Sequence, residues 1–180
     1  MTAPEMRKLF AAVLAVVLSF AITGCGAEAP LQLDGMEPAE LSAFPKVQEA
    51  AEADAGFLAE TATSFDSDYG VAFRLEKTES NGQAVTAEYV SENYLTLRLT
   101  YRKDPVQLYE AKLEDGSDNI NQEYSRTVTG MLYLEGFGFS SAEIDRIAAA
   151  YAEKKLPVTV NGCEISQTYL NKLSFEIHKK

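Results

Sequence analysis

Two side chains in this sequence have the types that nucleophilic catalysis uses, a thiol at Cys163 and an imidazole at His178. Such a pair works when the imidazole takes the thiol proton and leaves a reactive thiolate. Alternation around the Asn161-Gly162 turn places Cys163 on an apolar face, where a thiol stays protonated and unreactive. The sequence therefore predicts no catalytic residue and no enzyme activity from this pair.

The sequence also gives little support for a metal site or for acid–base catalysis. Zinc sites draw on several Cys and His ligands, and His178 is the only histidine. Asp115–Asn119 offers oxygen ligands, but counting from Asp115 places Ile120 and Arg126 where a calcium loop needs Gly and Glu. We expect no metal and no cofactor, and we interpret Asp115–Asn121 as a polar loop. A carboxylate pair for glycoside hydrolysis stays open, because separation in space is invisible in sequence.

The segment Gly136-Phe137-Gly138-Phe139 allows two interpretations. Phe137 and Phe139 could form an exposed aromatic loop that binds a partner or a sugar ring. Alternatively, the glycines permit a sharp turn, and Phe139 packs against Ile144 or Ile147 at the start of a helix. The pattern singles out these two rings as candidate binding residues. The nine Tyr residues, several of them in predicted strands, could also line a binding face, although Tyr is a normal strand former.

The most specific motif lies at the end of a short apolar run. Arg7 and Lys8 precede 14 residues, Leu9 to Ile22, that are apolar except for Ser19. A membrane-spanning helix needs about 20 apolar residues, so this run has the size of a signal-peptide core. The tetrapeptide Ile22–Cys25 that follows resembles the lipobox of bacterial lipoproteins.

The lipobox resemblance implies where in the cell the protein is located. Residues 1–24 would be a cleaved signal peptide, and Cys25 would become the N-terminus and carry a diacylglyceryl group. Each buried lipid CH₂ contributes about 0.8 kcal/mol, so two or more acyl chains such as palmitate anchor a protein durably. The expected location is the outer, extracytoplasmic face of the cell membrane. An ordinary cleaved signal peptide and an uncleaved anchor are the alternatives.

Size and charge limit the remaining possibilities. The 180-residue chain has a formal net charge of −11, which argues against nucleic acid because such binding relies on Lys and Arg neutralising phosphates. Lipidation of Cys25 would leave Cys163 as the only thiol, so no intramolecular disulfide is expected. Residues 25–37 have little periodicity and predict a lipidated tether. Residues 38–180 then form one domain.

Hydrophobic periodicity predicts two helices. Apolar residues at steps of three and four indicate the first, about Pro45 to Phe65. The second begins at a capping box, with Ser140 as N-cap and Glu143 three residues later. It continues to about Lys155, before a proline.

Alternating patterns predict the strands between and after these helices. Strands are expected from Val71, at Leu95–Tyr101, at Val106–Leu113, at Tyr124–Leu134 and at Tyr169–Ile177. A three-residue turn, Ser80 to Gly82, would pair Leu75 with Ala87 and leave Gly82 left-handed. A two-residue turn at Asn161-Gly162 would pair Val160 with Cys163 and Val158 with Ile165.

Together these elements predict an α+β fold, an antiparallel sheet with two helices packed on one face. The expected function is a non-catalytic lipoprotein that binds an envelope protein or polymer at the outer face of the membrane. A small-solute-binding lipoprotein is the alternative, and an unrecognised hydrolase comes third.

Overall fold

The described residues of the chain form one eight-stranded antiparallel sheet in the order β1-β2-β3-β4-β5-β8-β7-β6. The structure is a computed structural model and describes residues 30–63, 71–117, 122–169 and 172–180. The lipobox and Cys25 lie outside the described residues. The strands are β1 Glu37–Pro38, β2 Arg74–Ser80, β3 Ala84–Val90, β4 Leu95–Lys103, β5 Val106–Asp115, β6 Val158–Val160, β7 Cys163–Thr168 and β8 Leu173–Lys179.

Three α-helices accompany the sheet within the described residues: α1 Pro45–Ala62, α2 Gln122–Met131 and α3 Ser141–Ala152. A short 3₁₀ helix at Leu41–Ala43 precedes α1, and another at Glu135–Phe137 lies between α2 and α3. The structure confirms the predicted α+β class. It also confirms the apolar face of α1, where Val47, Ala51, Ala55, Leu58 and Ala62 are all buried.

The predicted capping box at α3 is present. The backbone N–H of Ser140 donates to Glu143 Oε2 at 2.8 Å, and the Ser140 hydroxyl lies 2.7 Å from the same oxygen. These contacts pair a donor that the first helical turn leaves without a partner. They also hold the pKa of the Glu143 carboxyl below its usual value.

The two faces of the sheet differ in chemistry. The helices and the inner face share one hydrophobic core, to which the strands contribute Val85, Ala87, Tyr89, Leu95, Leu97, Leu99, Tyr101, Leu108, Ala111, Leu113, Val160, Cys163, Ile165, Phe175 and Ile177. The alternate residues point to the outer face, since side chains alternate across a strand. In the paired registers of β3, β4, β5 and β8 these are Thr86, Glu88, Thr96, Arg98, Thr100, Glu110, Lys112, Glu114, Glu176 and His178.

The predicted strand Tyr124–Leu134 is wrong, because most of this segment forms α2. Tyr124, Thr127, Val128 and Met131 recur at helical spacing and are buried. The abundance of Thr, Val and Tyr favours a strand locally, but packing against α1 decides the outcome. Gly130 makes that packing close, since a Cβ there would lie only 3.0 Å from Thr61 Cγ2.

The β2–β3 turn also differs from the prediction. Ser80 pairs with Val85, and Leu75 pairs with Tyr89 instead of Ala87 after a register shift between Leu75 and Lys77. Gly82 does not have a positive φ. The Asn81 side chain holds the turn instead, because its Oδ1 accepts the backbone N–H groups of Gln83 and Ala84 at 2.8 and 2.9 Å.

The β6–β7 hairpin forms in the predicted register. Val160 pairs with Cys163, and Val158 pairs with Ile165. Asn161 and Gly162 have φ values of 50° and 71°, as a two-residue type I′ turn requires.

The part of the chain that packs as one unit begins at Leu31, earlier than the expected domain start at residue 38. We call Leu31–Pro38 the N-terminal strap. Leu31 is buried, and Glu37 and Pro38 pair with the end of β2 as strand β1. The second half of the expected tether therefore belongs to the folded domain.

A candidate binding cleft beside Asp54

An open cleft of about 510 Å³ lies between α1, the start of β5 and the 3₁₀ helix Glu135–Phe137. Its walls combine small and apolar residues with a few polar groups, a mixture typical of ligand sites. The lining residues are Ala50, Ala53, Asp54, Tyr101, Val106, Gln107, Leu108, Glu135 and Gly136.

One hydrogen bond organises the polar part of the cleft. The Tyr101 hydroxyl donates to Asp54 Oδ2 at 2.6 Å. Tyr101 is the last of the core residues along β4, and it is 1% exposed. A buried hydroxyl needs a partner, and a carboxylate acceptor makes the bond short and strong. Asp54 is therefore held in one orientation at the cleft wall.

Burial and charge affect the titration of this pair. Burial raises the pKa of Asp54, and repulsion from Glu135 adds to it, although the hydrogen bond from Tyr101 opposes the rise. Burial and the neighbouring Asp54 raise the pKa of the Tyr101 phenol. In this pair the Tyr101 hydroxyl is the hydrogen-bond donor and Asp54 is the acceptor.

A second tyrosine close to Asp54 has no partner for its hydroxyl. Tyr89 is 4% exposed, and its buried oxygen has no hydrogen bond. Burial raises its pKa to about 12, with smaller contributions from Glu52 and Asp54. Its phenol therefore also stays protonated near neutral pH.

The floor of the cleft depends on Gly136. A Cβ at this position would lie 2.5 Å from Leu108 Cβ, a distance at which backbone or side chain must move. The absence of a side chain lets the 3₁₀ helix approach β5 closely and brings Glu135 to the same cleft as Asp54. Gly138, two residues later, has a φ of 62° and ends the 3₁₀ helix.

The structure does not place Phe137 and Phe139 in an exposed loop. Phe137 is 3% exposed in the core, and Phe139 is half-buried and packs against that core. Their ring centroids lie 5.9 Å apart. The burial agrees with the alternative interpretation, in which the glycines shape a turn. The segment contributes to the cleft through Glu135 and Gly136 instead.

Cys163 and His178 do not form a pair. Cys163 is 1% exposed on the inner face, and burial raises the pKa of its thiol. His178 pairs with Glu164, the neighbour of Cys163, so its side chain lies on the outer face. There its Nδ1 is 3.3 Å from Glu176 Oε1.

The Asp115 side chain forms its hydrogen bonds within its own loop. Asp115 Oδ1 accepts the Ser117 backbone N–H at 2.9 Å and lies 2.6 Å from the Ser117 hydroxyl, which is an Asx-type turn. The rest of the loop lies outside the described residues. Within the described ranges, no group of three His, Cys, Asp or Glu residues has the geometry of a metal site.

Two other surfaces are alternative candidates for a binding site. A cavity of about 640 Å³ near the end of α3 is lined by Lys154, Leu156, Gln167 and Tyr169. The outer sheet face carries charges that pair with each other: Arg98 Nε binds Glu88 at 2.5 Å, and Lys112 binds Glu114 at 2.9 Å. Among the described residues named for these two surfaces, no carboxyl group accepts a hydrogen bond from a fully buried hydroxyl as Asp54 does.

Comparison of the chain with protein-family models, curated proteins and solved structures gave no match. The residues that line the cleft themselves indicate its chemistry. Its two carboxylates and the Gln107 side chain favour a ligand that offers hydrogen-bond donors or positive charge.

Sequence patterns did not single out Asp54, Tyr101 or Glu135. One signal was available for Asp54. It follows Ala51 by three residues and precedes Leu58 by four, so an acid falls on the apolar face of a helix. An acid on such a face either binds a partner within the fold or lines an opening, and Asp54 does both.

Proposed function

We propose that this protein is a lipid-anchored, non-catalytic binding module at the outer face of the cell membrane, and that the cleft beside Asp54 holds its ligand. The lipobox resemblance of Ile22–Cys25 supports the anchor. In the part of the chain that the structure describes, no helix is long and apolar enough to span a bilayer.

The observation that carries the proposal is the Asp54–Tyr101 pair in an open cleft. A carboxylate held by a buried donor at 2.6 Å needs little reordering when a ligand arrives, so less entropy is lost on binding. Glu135 supplies a second acceptor in the same cleft. Envelope proteins and polymers with amino or hydroxyl groups fit this acceptor-rich site, and so would a small solute with the same groups.

Site-specific photo-cross-linking in cells tests the cleft. Ala53 lines it and is exposed, so a photoreactive residue fits there. Ala149, exposed on α3, is the matched control outside the cleft. We expect Ala53 to capture a defined species that Ala149 does not, and Asp54→Ala to weaken that capture. Identical products from both positions would refute the cleft as the binding site.

The anchor is tested separately through Cys25. Cys25→Ser should abolish metabolic labelling with radioactive palmitate and release the protein from the membrane fraction. Persistent labelling of this variant would refute the lipobox interpretation.

A hydrolase is the second candidate, favoured by two carboxyl residues in one cleft with the pKa of Asp54 raised. Paired carboxyls of this kind perform general acid–base catalysis. Wild-type protein and Asp54→Asn can be incubated with a digest of purified envelope polymer, followed by mass spectrometry. Binding alone leaves all masses unchanged, whereas shorter products that require Asp54 would identify a hydrolase.

A further inference from the structure

The N-terminal strap is attached to one end of the sheet. The Asn81 side-chain amide donates to the carbonyl oxygens of Gln32 and Asp34 at 2.8 and 3.1 Å. The Gln32 backbone N–H donates to Gln83 Oε1 at 3.3 Å. The Ala39 N–H, just after the strap, donates to the Thr78 carbonyl at 2.9 Å.

This end of the sheet is shared by three turns. Ala84 pairs with Arg102, so the β2–β3 turn lies beside the β4–β5 turn at Asp104-Pro105. The β6–β7 turn lies at the same end, because the sheet is antiparallel throughout and Cys163 pairs with Lys179 near the end of β8. We call this the strap end. The β3–β4 turn, Ser91 to Tyr94, marks the opposite end.

We propose that the strap orients the anchored domain, with the strap end facing the bilayer and the Ser91–Tyr94 end facing away from it. The inference rests on the proposed lipid anchor at Cys25. Between Cys25 and Leu31 the chain can span at most about 20 Å. Strand β4 has nine residues, so the far end lies roughly 30 Å further from the attachment point.

The orientation also places the cleft. Tyr101 and Val106 flank the β4–β5 turn, so the cleft beside Asp54 lies in the half of the domain that faces the membrane. A ligand of the cleft is then met close to the bilayer surface, and the exposed Tyr94 faces the space beyond.

Energy transfer from the protein to the membrane tests this orientation. The lipidated protein is placed in phosphatidylcholine vesicles that contain an acceptor-labelled lipid. A donor dye is attached either at Gly82→Cys or at Glu92→Cys, each with Cys163→Ala. A Cβ at Gly82 would meet nothing within 4 Å, and Glu92 is an exposed turn residue.

We expect stronger transfer from position 82 than from position 92. Flotation of the vesicles separates the two hypotheses. A protein that does not float refutes the anchor, and the orientation with it. A protein that floats but transfers equally from both positions, or more strongly from position 92, overturns the orientation and leaves the anchor standing.

Asn81→Asp tests the strap contacts directly. The variant keeps the Oδ1 acceptor that holds its own turn but removes the amide that donates to Gln32 and Asp34. Asn161→Asp is the matched control, since the Asn161 amide donates to the Phe137 carbonyl at 3.1 Å, away from the strap.

Hydrogen exchange measures the result on the full-length protein. We expect exchange at the Gln32 amide to accelerate about tenfold in Asn81→Asp, as the loss of a typical hydrogen bond predicts, and to stay unchanged in Asn161→Asp. The preference for transfer from position 82 should also shrink. Unprotected amides at Gln32 and Ala39 in the wild type would show that the strap is not docked and would overturn the inference.

Discussion

The inner and outer faces of the sheet use charge in different ways. On the outer face, Arg98 lies between Glu88 and Glu114, at 2.5 and 3.8 Å, and water reaches all three side chains. On the inner side, Asp54 has one partner, the buried hydroxyl of Tyr101. Exposed ion pairs contribute little to stability, whereas a buried donor without its partner is costly. Breaking the hydrogen bond between Asp54 and Tyr101 should therefore lower the free energy of unfolding more than breaking one ion pair on the outer face.

The largest expected effect is in the apolar core. Leu99→Ala should lower the free energy of unfolding by about 2–5 kcal/mol, because it removes a fully buried side chain and leaves a cavity. Denaturant unfolding measures the change. Thr96→Ala, on the outer face of the same strand, is the control and should stay within about 0.5 kcal/mol of wild type. Equal losses at both positions would contradict the difference between the faces.

A smaller effect is expected at the Asp54–Tyr101 pair. Tyr101→Phe should cost about 1.5 kcal/mol, the loss of one hydrogen bond to a charged group. A double-mutant cycle with Asp54→Asn isolates the coupling between the two side chains. A coupling of zero would mean that the bond does not orient Asp54, and the binding proposal would lose its main support.

The pH dependence of stability should show the raised pKa of Asp54. Its ordinary value is 3.8, and burial raises it in the folded state, so the folded chain holds this proton more tightly than the unfolded chain. The contribution of Asp54 is therefore greatest below pH 3.8 and declines as the pH rises through the folded-state pKa. Unfolding experiments from pH 3 to pH 7 should show that Asp54→Asn removes this decline.

Glu143 provides the control of opposite sign. Its hydrogen bonds from Ser140 lower its pKa below 4.5, so its stabilising contribution is present above that pH and is lost as the pH falls. Glu143→Gln should therefore flatten the acid side of the profile instead. The same sign of change in both variants would contradict the environments assigned to these two carboxyls.

The smallest effect is expected on the outer face. Arg98→Ala should cost about 0.2–1 kcal/mol, and the loss should shrink in high salt because screening weakens exposed pairs. Arg98→Lys is the control, because it keeps the positive charge and removes only the guanidinium group. A loss of stability as large as that of Leu99→Ala, or a loss that salt does not change, would contradict this expectation. It would show that the ion pairs on the outer face stabilise the fold as strongly as core packing does.

The two Asn-Gly turns show how far local sequence can predict structure. At Asn161-Gly162, both residues adopt positive φ, and one register places the four flanking apolar residues on the same face. The turn and the pattern agree, so the prediction was correct. At Asn81-Gly82, the Asn81 side chain bonds both to its own turn and to the distant strap, and the pairing of β2 with β3 shifts register between Leu75 and Lys77.

The candidate site was predictable only in part. The glycine pattern at Gly136–Phe139 indicated a tight turn, and the structure uses Gly136 to bring Glu135 against β5. Asp54 and Tyr101 lie 47 positions apart in sequence, and neither residue type is unusual where it occurs. No local pattern could reveal that they share a hydrogen bond.

The sequence by itself determined the elements whose signals are local: the apolar face of α1, the capping box of α3 and the β6–β7 hairpin. Only the tertiary structure decided that Gln122–Met131 is a helix, that the strap docks on Asn81, and that Asp54 meets Tyr101. The physical reason is common to all three. Each depends on contacts between distant segments, whose burial and hydrogen bonds outweigh local preferences of a few tenths of a kcal/mol to about 1 kcal/mol per residue.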